Sequence, residues 1–366
     1  MACAPPSPCS ASVMGDSLAS RRHIPSPHRD DRRANQPFQD VAGQQPLTFP
    51  CILAQGAAMH QTLAGGPASS SFERKRVRLG GVSRSYDPRI SAIRPDLADL
   101  ALAEFCFAPH YVAPVARRCV VPGVMLRDTP DAAASAVTEL LRGEIFHLLD
   151  ARGRWAWGYC GHDHYVGYLP LAALGDGPTG AVDGEGATHV ARAAAPLFTT
   201  ANIKSAIAML LPPGARLTGT LEGDFLATAD GFVHLRHLRA ADAHEADWVA
   251  VAERYLGAPY IWGGRGFGVD CSGLVQMALA ACGIAAPRDT DQQADAIGTA
   301  LALDMPRQRG DIIFFPGHVG LMVDDVRMIH ANAHWMAVTI EPLADVVARL
   351  QGAHEQPITA IRRIER

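Results

Sequence analysis

The rhythm of hydrophobic and polar positions changes several times along this chain. Residues 1–85 mix Pro, Ser, Gln, Arg and His with no apolar period, which predicts a disordered tail. In 91–108 (SAIRPDLADLALAEFCFA), Leu97, Leu100, Ala103 and Phe107 recur at spacings of three and four, which predicts a helix. Short strand-like runs broken by turn residues follow at 123–127, 144–149, 154–159 and 165–169. The stretch 140–169 is echoed by 210–235: a Leu-Leu pair, a turn with Gly, a strand, and a closing Gly-aromatic-Val strand. Self-similarity of this kind predicts two related β-units, joined here by the Gly-rich linker 175–187. From Asp247 the texture shifts. Residues 248–256 read as a helix, and a turn-rich loop leads to a second helix opening at Cys271. Its apolar face is Leu274, Val275, Ala278, Leu279 and Cys282, and Gly283 stops it. Strands are then expected at 311–315, 318–323 and 327–331, so helices precede an antiparallel sheet and the class is α+β. The expected segments are a tail (1–85), a first β-unit with its leading helix (86–175), a second β-unit (188–241) and a C-terminal α+β domain (245–366).

Composition narrows the options. With 366 residues, 48% of them apolar, the chain can build two or three cores. A net charge of −4, with the basic clusters all before residue 86, argues against tracking nucleic-acid phosphates. No apolar run is long enough to span a bilayer. Residues 47–63 are the best candidate for an export signal, but Pro50, Gln55 and His60 interrupt them, so a cytoplasmic location is expected. The eight cysteines are irregularly spaced with no Cys-x-x-Cys pair, which reads as reduced thiols rather than staples or a zinc site. Neither a metal nor another cofactor is implied.

The candidate chemistry centres on Cys271. A thiol becomes a good nucleophile once deprotonated, and the unpaired N–H groups of a helix N-terminus favour the thiolate and could hold an oxyanion. Such a nucleophile needs a base and an orienting group. His318 opens one predicted strand and His330 ends the next. Side-chain alternation imposes a condition on the pair. A two-residue turn at Asp324-Asp325 would put the imidazoles on opposite faces, whereas a three-residue turn or a bulge puts them on the same face. In the second case His318 can act as base and His330 can fix its tautomer. His334 is a further candidate in a loop-like neighbourhood. Asp270 reads as the cap of the helix at Cys271.

Five spaced motifs occur in order: Tyr260-Ile261-Trp262-Gly263-Gly264, Val269-Asp270-Cys271-Ser272-Gly273, Pro287-Arg288-Asp289-Thr290, Arg309-Gly310-Asp311, and Gly317-His318-Val319-Gly320 with Ile329-His330-Ala331. Over about 247–366 the chain thereby resembles the NlpC-type cell-wall cysteine peptidases. The resemblance implies a papain-like domain with Cys271 as nucleophile, His318 as base, His330 as third member and Tyr260 near the sulfur. The upstream units are similar to bacterial SH3-like barrels, and the arrangement resembles the dipeptidyl-peptidase branch of the family. That branch cuts murein stem peptides between γ-D-Glu and L-Lys or meso-diaminopimelate and requires a free N-terminal L-Ala. The amine would be held by Glu144, Tyr165, Asp270 and Ser272, while Arg288 and Asp289 shape the groove or brace its loop. The rival readings are a general wall endopeptidase, an amidase or acyltransferase on the same fold, a non-catalytic wall-peptide binding protein, and a metal hydrolase built on Cys271, His318 and His330.

Overall fold

A computed structural model describes residues 85–177 and 186–365. The expected tail, up to residue 84, and residues 178–185 of the linker lie outside the described residues.

The apolar stripe of 91–108 does not form the expected leading helix. Pro95 and Pro109 bracket it, and proline disrupts a helix interior. The Asp99 side chain accepts from the Ala101 N–H and closes only a 3-10 turn, Leu100–Leu102. Leu97 is buried, but Leu100 and Phe107 are 52% and 92% exposed, so the stripe has no common face to bury. The short strands β1 (Ala98–Asp99) and β2 (Tyr111–Val112) pair in parallel here.

The first β-unit comprises β3 (Val115–Cys119), β4 (Gly123–Arg127), β5 (Ala136–Leu141), β6 (Ile145–Arg152), β7 (Trp155–Cys160), β8 (Val166–Pro170) and β9 (Leu174–Asp176). The sheet order is β5-β4-β8-β7-β6-β3-β9, over a core of Leu126, Leu140, Phe146 and Leu169. The second unit comprises β10 (His189–Ala191), β11 (Ala195–Phe198), β12 (Ile207–Leu211), β13 (Arg216–Leu217), β14 (Thr220–Glu222), β15 (Phe225–Thr228), β16 (Gly231–His234) and β17 (Leu238–Ala240). Its orders, β12-β11-β16-β15-β14 and β13-β10-β17, repeat those of the first unit with one change. The single strand β6 is matched by the pair β13 and β14. In the first unit β6 continues across the bend with a register shift between Leu148 and Asp150. In the second the strand breaks at Thr218-Gly219, where a Cβ on Gly219 would lie 2.2 Å from the Ala227 carbonyl oxygen. The echo in the sequence is thus an echo in topology.

The C-terminal part contains α1 (Trp248–Glu253), α2 (Cys271–Ala281), α3 (Thr290–Ala296), β18 (Thr299–Ala300), β19 (Ile312–Phe315), β20 (His318–Met322), β21 (Arg327–Asn332), β22 (Ala337–Pro342), α4 (Leu343–Gln351) and β23 (Ala360–Arg363). The class is α+β, with a six-stranded sheet in the order β18-β23-β19-β20-β21-β22. Helix α2 begins where the sequence places it, because Asp270 accepts from the Gly273 N–H at 2.7 Å and caps it. Its first nine residues are all buried rather than one face alone.

Two buried arginines fasten this part to the first β-unit. Arg265 forms a two-pronged ion pair with Glu144 (2.8 and 3.1 Å) and donates to the Glu139 carbonyl. Arg288 donates to the Thr138 hydroxyl at 3.0 Å while pairing with Asp270.

Candidate functional site

Cys271 lies in the first turn of α2, only 7% exposed, with its sulfur 3.8 Å from the Thr290 hydroxyl at the start of α3. Burial and the neighbouring Asp270 carboxylate push the thiol up. The Thr290 hydroxyl and the N–H groups of Val319 and Ser272 act the other way, favouring the thiolate, but they do not prevail. The helix N-terminus therefore does not by itself ionise Cys271 in the resting protein.

The hairpin β20–β21 has the irregular turn that the histidine pair requires. Leu321 pairs with Ile329 and Met322 with Met328, and the Val323 N–H donates to Arg327. Asp324, Asp325 and Val326 remain as a three-residue turn, tightened by the Asp324 carboxylate, which accepts from the N–H groups of Val326 and Arg327. Both imidazoles consequently share a face, with His318 Nε2 2.8 Å from His330 Nδ1. Gly320 sits opposite His330, where a Cβ would lie 3.0 Å from that of the histidine.

Beyond His330 the chain of contacts continues to a residue the sequence reading missed. His330 Nε2 lies 3.2 Å from Glu341 Oε1, and Arg349 holds the other carboxylate oxygen. Burial raises Glu341, yet its bonds to Arg349 and His330 outweigh this and keep the carboxyl below its usual range, so it is ionised and only accepts. That fixes the protons. His330 donates from Nε2 to Glu341, so its Nδ1 is an acceptor; His318 donates from Nε2 to His330, so its Nδ1 carries a free lone pair. Burial, with His330 and Arg349 adding to it, pushes His318 down to about 3. At neutral pH the base is a neutral imidazole and the nucleophile a neutral thiol. Among the described residues no hydrogen bond joins Cys271 to His318. Their point of approach is the amide of Val319, the residue after His318, and such contacts commonly tighten only when substrate binds.

A titration expectation follows. Iodoacetamide inactivation should accelerate about tenfold per pH unit from pH 7 to pH 9, as for a thiol held above its ordinary range. His318→Ala should leave that profile almost unchanged. A plateau extending below pH 7 in the parent, abolished by His318→Ala, would reveal a resting thiolate–imidazolium pair and overturn the neutral assignment.

Cys271 opens onto a groove of about 760 Å³. One wall carries Tyr260, Trp262, Asp270, Ser272, Asp289 and Thr290; residues 135–137 and Tyr165 of the first β-unit form another. Tyr260 is pushed up to about 12, first by burial and then by Cys271 and Asp270, so its hydroxyl remains a donor. Asp270 already accepts from the Gly263 and Gly273 N–H groups and from Arg288, whose guanidinium also donates to Ser272 Oγ at 2.8 Å. Tyr165 donates to Asp289 Oδ2 at 2.9 Å, an oxygen that also accepts from Arg89 at 2.8 Å. His334 stacks edge-on against Trp335, outside this constellation.

Glu144 lies apart from the other expected amine ligands. It does not line the groove with Cys271. Its carboxylate is buried, accepts from the Leu141 N–H and is taken up by Arg265. The carboxylate that meets Tyr165 is Asp289. The strand-like run at 144–149 carries no sign of a partner 121 positions away.

Parts of the chain are similar to known proteins. Residues 257–350 match the profile of the NlpC/P60 family, and residues 126–174 match that of the bacterial dipeptidyl-peptidase SH3 domain. A gamma-D-glutamyl-L-lysine dipeptidyl-peptidase of Bacillus subtilis is 34% identical over 126 residues, which is 32% of this chain and 40% of that protein. One from Bacillus cereus, of the same name, is 36% identical over 107 residues, 26% of this chain and 31% of that protein. The matches thus span less than half the length of these relatives. The crystal structure of an NlpC/P60 family protein from Bacillus cereus superimposes with a TM-score of 0.58 at 20% identity, covering 68% of this chain and 99% of that one, a likeness of fold.

Proposed function

From an NlpC/P60 domain at residues 257–350 preceded by a bacterial dipeptidyl-peptidase SH3 domain, we propose that this protein is a cysteine peptidase of murein stem peptides. It cuts the bond between γ-D-Glu and the L-diamino acid when the peptide carries a free N-terminal L-Ala. The observation that carries this reading is the position of Tyr165 and residues 135–137, which wall one side of the groove at Cys271. A wall there leaves room for a short peptide end and obstructs a longer chain. The names of the Bacillus relatives support the same reading.

In this mechanism His318 Nδ1 takes the Cys271 proton as the sulfur attacks the γ-carbonyl carbon. The oxyanion is met by first-turn amides of α2 and the Tyr260 hydroxyl. His318 then protonates the departing amine of the diamino acid, and water, activated by the same imidazole, releases the acyl group. His330 and Glu341 hold the base in its working tautomer. The ammonium of L-Ala is received by Asp289 and Tyr165, in place of Glu144, with Asp270 and Ser272 beside them. We further propose SH3-like barrels for the two β-units and a cytoplasmic setting, where released peptides and reduced thiols coexist.

The test compares L-Ala-γ-D-Glu-diaminopimelate and its L-Lys counterpart with their N-acetylated forms. The free-amine peptides should be cut in strong preference, with a kcat/KM advantage of at least about tenfold, the value of a lost charge-assisted contact. Asp289→Asn should raise KM for the free-amine peptide much more than it lowers kcat. Equal cleavage of acetylated and free peptides would make this a general wall endopeptidase.

A further inference from the structure

A second cavity of about 310 Å³ lies where both β-units meet the C-terminal end of α2, at the opposite end of that helix from Cys271. Its charge is out of balance. Glu245 is the partner of two guanidiniums, Arg192 at 2.9 Å and Arg254 at 2.8 Å. Among the described residues, Arg239 donates only to the carbonyls of Ala240 and Ala243. Arg216 has no carboxylate partner among the described residues, and the Glu144 charge on the same wall is consumed by Arg265. Among the described residues, four guanidiniums therefore face one available carboxylate, an excess of three positive charges around a half-enclosed space.

The imbalance bears on Arg239. Burial holds Arg239 below its ordinary range, and the Arg216 charge pushes it the same way. The carbonyl end of α2 supplies about half a negative charge at most, too little to offset the excess. The floor, by contrast, is apolar, with Met277 and Ala281 of α2. A bare inorganic ion would leave most of this volume unfilled.

We propose that this cavity binds a small organic dianion, a short apolar body bearing dicarboxylate or phosphate-monoester charge. Arginine forks suit both head groups, because each offers paired oxygens to a planar bidentate donor. The site is independent of the peptidase reading, since none of its arginines lines the Cys271 groove.

The full chain is titrated with glutarate and, separately, with glycerol 3-phosphate, at ionic strength held constant with KCl, and Tm is followed. At least one should raise Tm along a saturable curve; the one that does so names the head group. Arg216→Gln should fold with a Tm equal to or above that of the parent in the absence of ligand, because it relieves a repulsion. It should weaken the apparent Kd at least about tenfold, the loss expected for one charge-assisted contact. Should Arg216→Gln fail to fold, Arg192→Gln decides by the same Kd criterion, Arg254 remaining as the partner of Glu245. No saturable shift beyond that of KCl for either probe, or an unchanged response in the folded variant, overturns the proposal.

Discussion

Cys271→Ala and His318→Ala are each expected to lower kcat/KM for the free-amine peptide by about 10⁴-fold or more, and the double variant is expected to fall no further. A nucleophile and its base act as one unit, so removing either abolishes the same proton-coupled attack. The neutral resting pair sharpens this expectation. The thiol lies above its ordinary range, so without His318 Nδ1 only a small thiolate fraction is available at neutral pH. Glu341→Gln should have a smaller effect, because it loosens the tautomer of His330 without touching the reacting atoms. Steady-state kinetics of the three variants provide the check. If His318→Ala kept more than a tenth of the parental rate, another group would be the base.

Arg265→Met is expected to destabilise the fold by about 3–5 kcal/mol, the usual cost of breaking a buried ion pair from one side. Arg265 and Glu144 are both almost fully buried, with 3% and 6% of their side chains exposed, so the remaining carboxylate would be left with little solvation and no guanidinium partner. The variant also removes the guanidinium from which the Glu139 carbonyl accepts, while the Glu139 carboxylate keeps its bonds from the backbone N–H groups of residue 265 and Gly266. Adding Glu144→Gln to Arg265→Met should recover a large part of the loss, because it removes the stranded charge. Urea unfolding of the three variants measures this, and a loss under about 1 kcal/mol for Arg265→Met would show that water reaches the pair.

The local parts of this architecture are legible in the chain. Asp270 before Cys271 and Gly283 after Cys282 mark the ends of α2 through capping chemistry that spans only a few residues. The hairpin is legible for a different reason: side-chain parity ties the turn at 324–326 to the placement of His318 and His330, and a condition of that kind needs no third partner. What is illegible depends on contacts far apart in sequence. Glu144 reads as a strand carboxylate until Arg265 arrives from the other domain. Glu341 becomes relevant only once β21 and β22 pair His330 with Thr339, two residues from it on the same face. The stripe at 91–108 misleads because periodicity takes no account of the bracketing prolines, nor of whether a surface exists for the face to cover.

The suppressed acidity of Cys271 has a consequence for the lifetime of the enzyme. Peroxide attacks thiolates, and the first product, a sulfenic acid, proceeds irreversibly to sulfinic and sulfonic acids under continued oxidation. A nucleophile kept protonated by burial and the Asp270 carboxylate offers little of the vulnerable species while the groove is empty. Its reactivity is released when a substrate carbonyl and the His318 lone pair come into line. Chemical durability and catalytic readiness are thereby separated in time, the first belonging to the empty protein and the second to the occupied one.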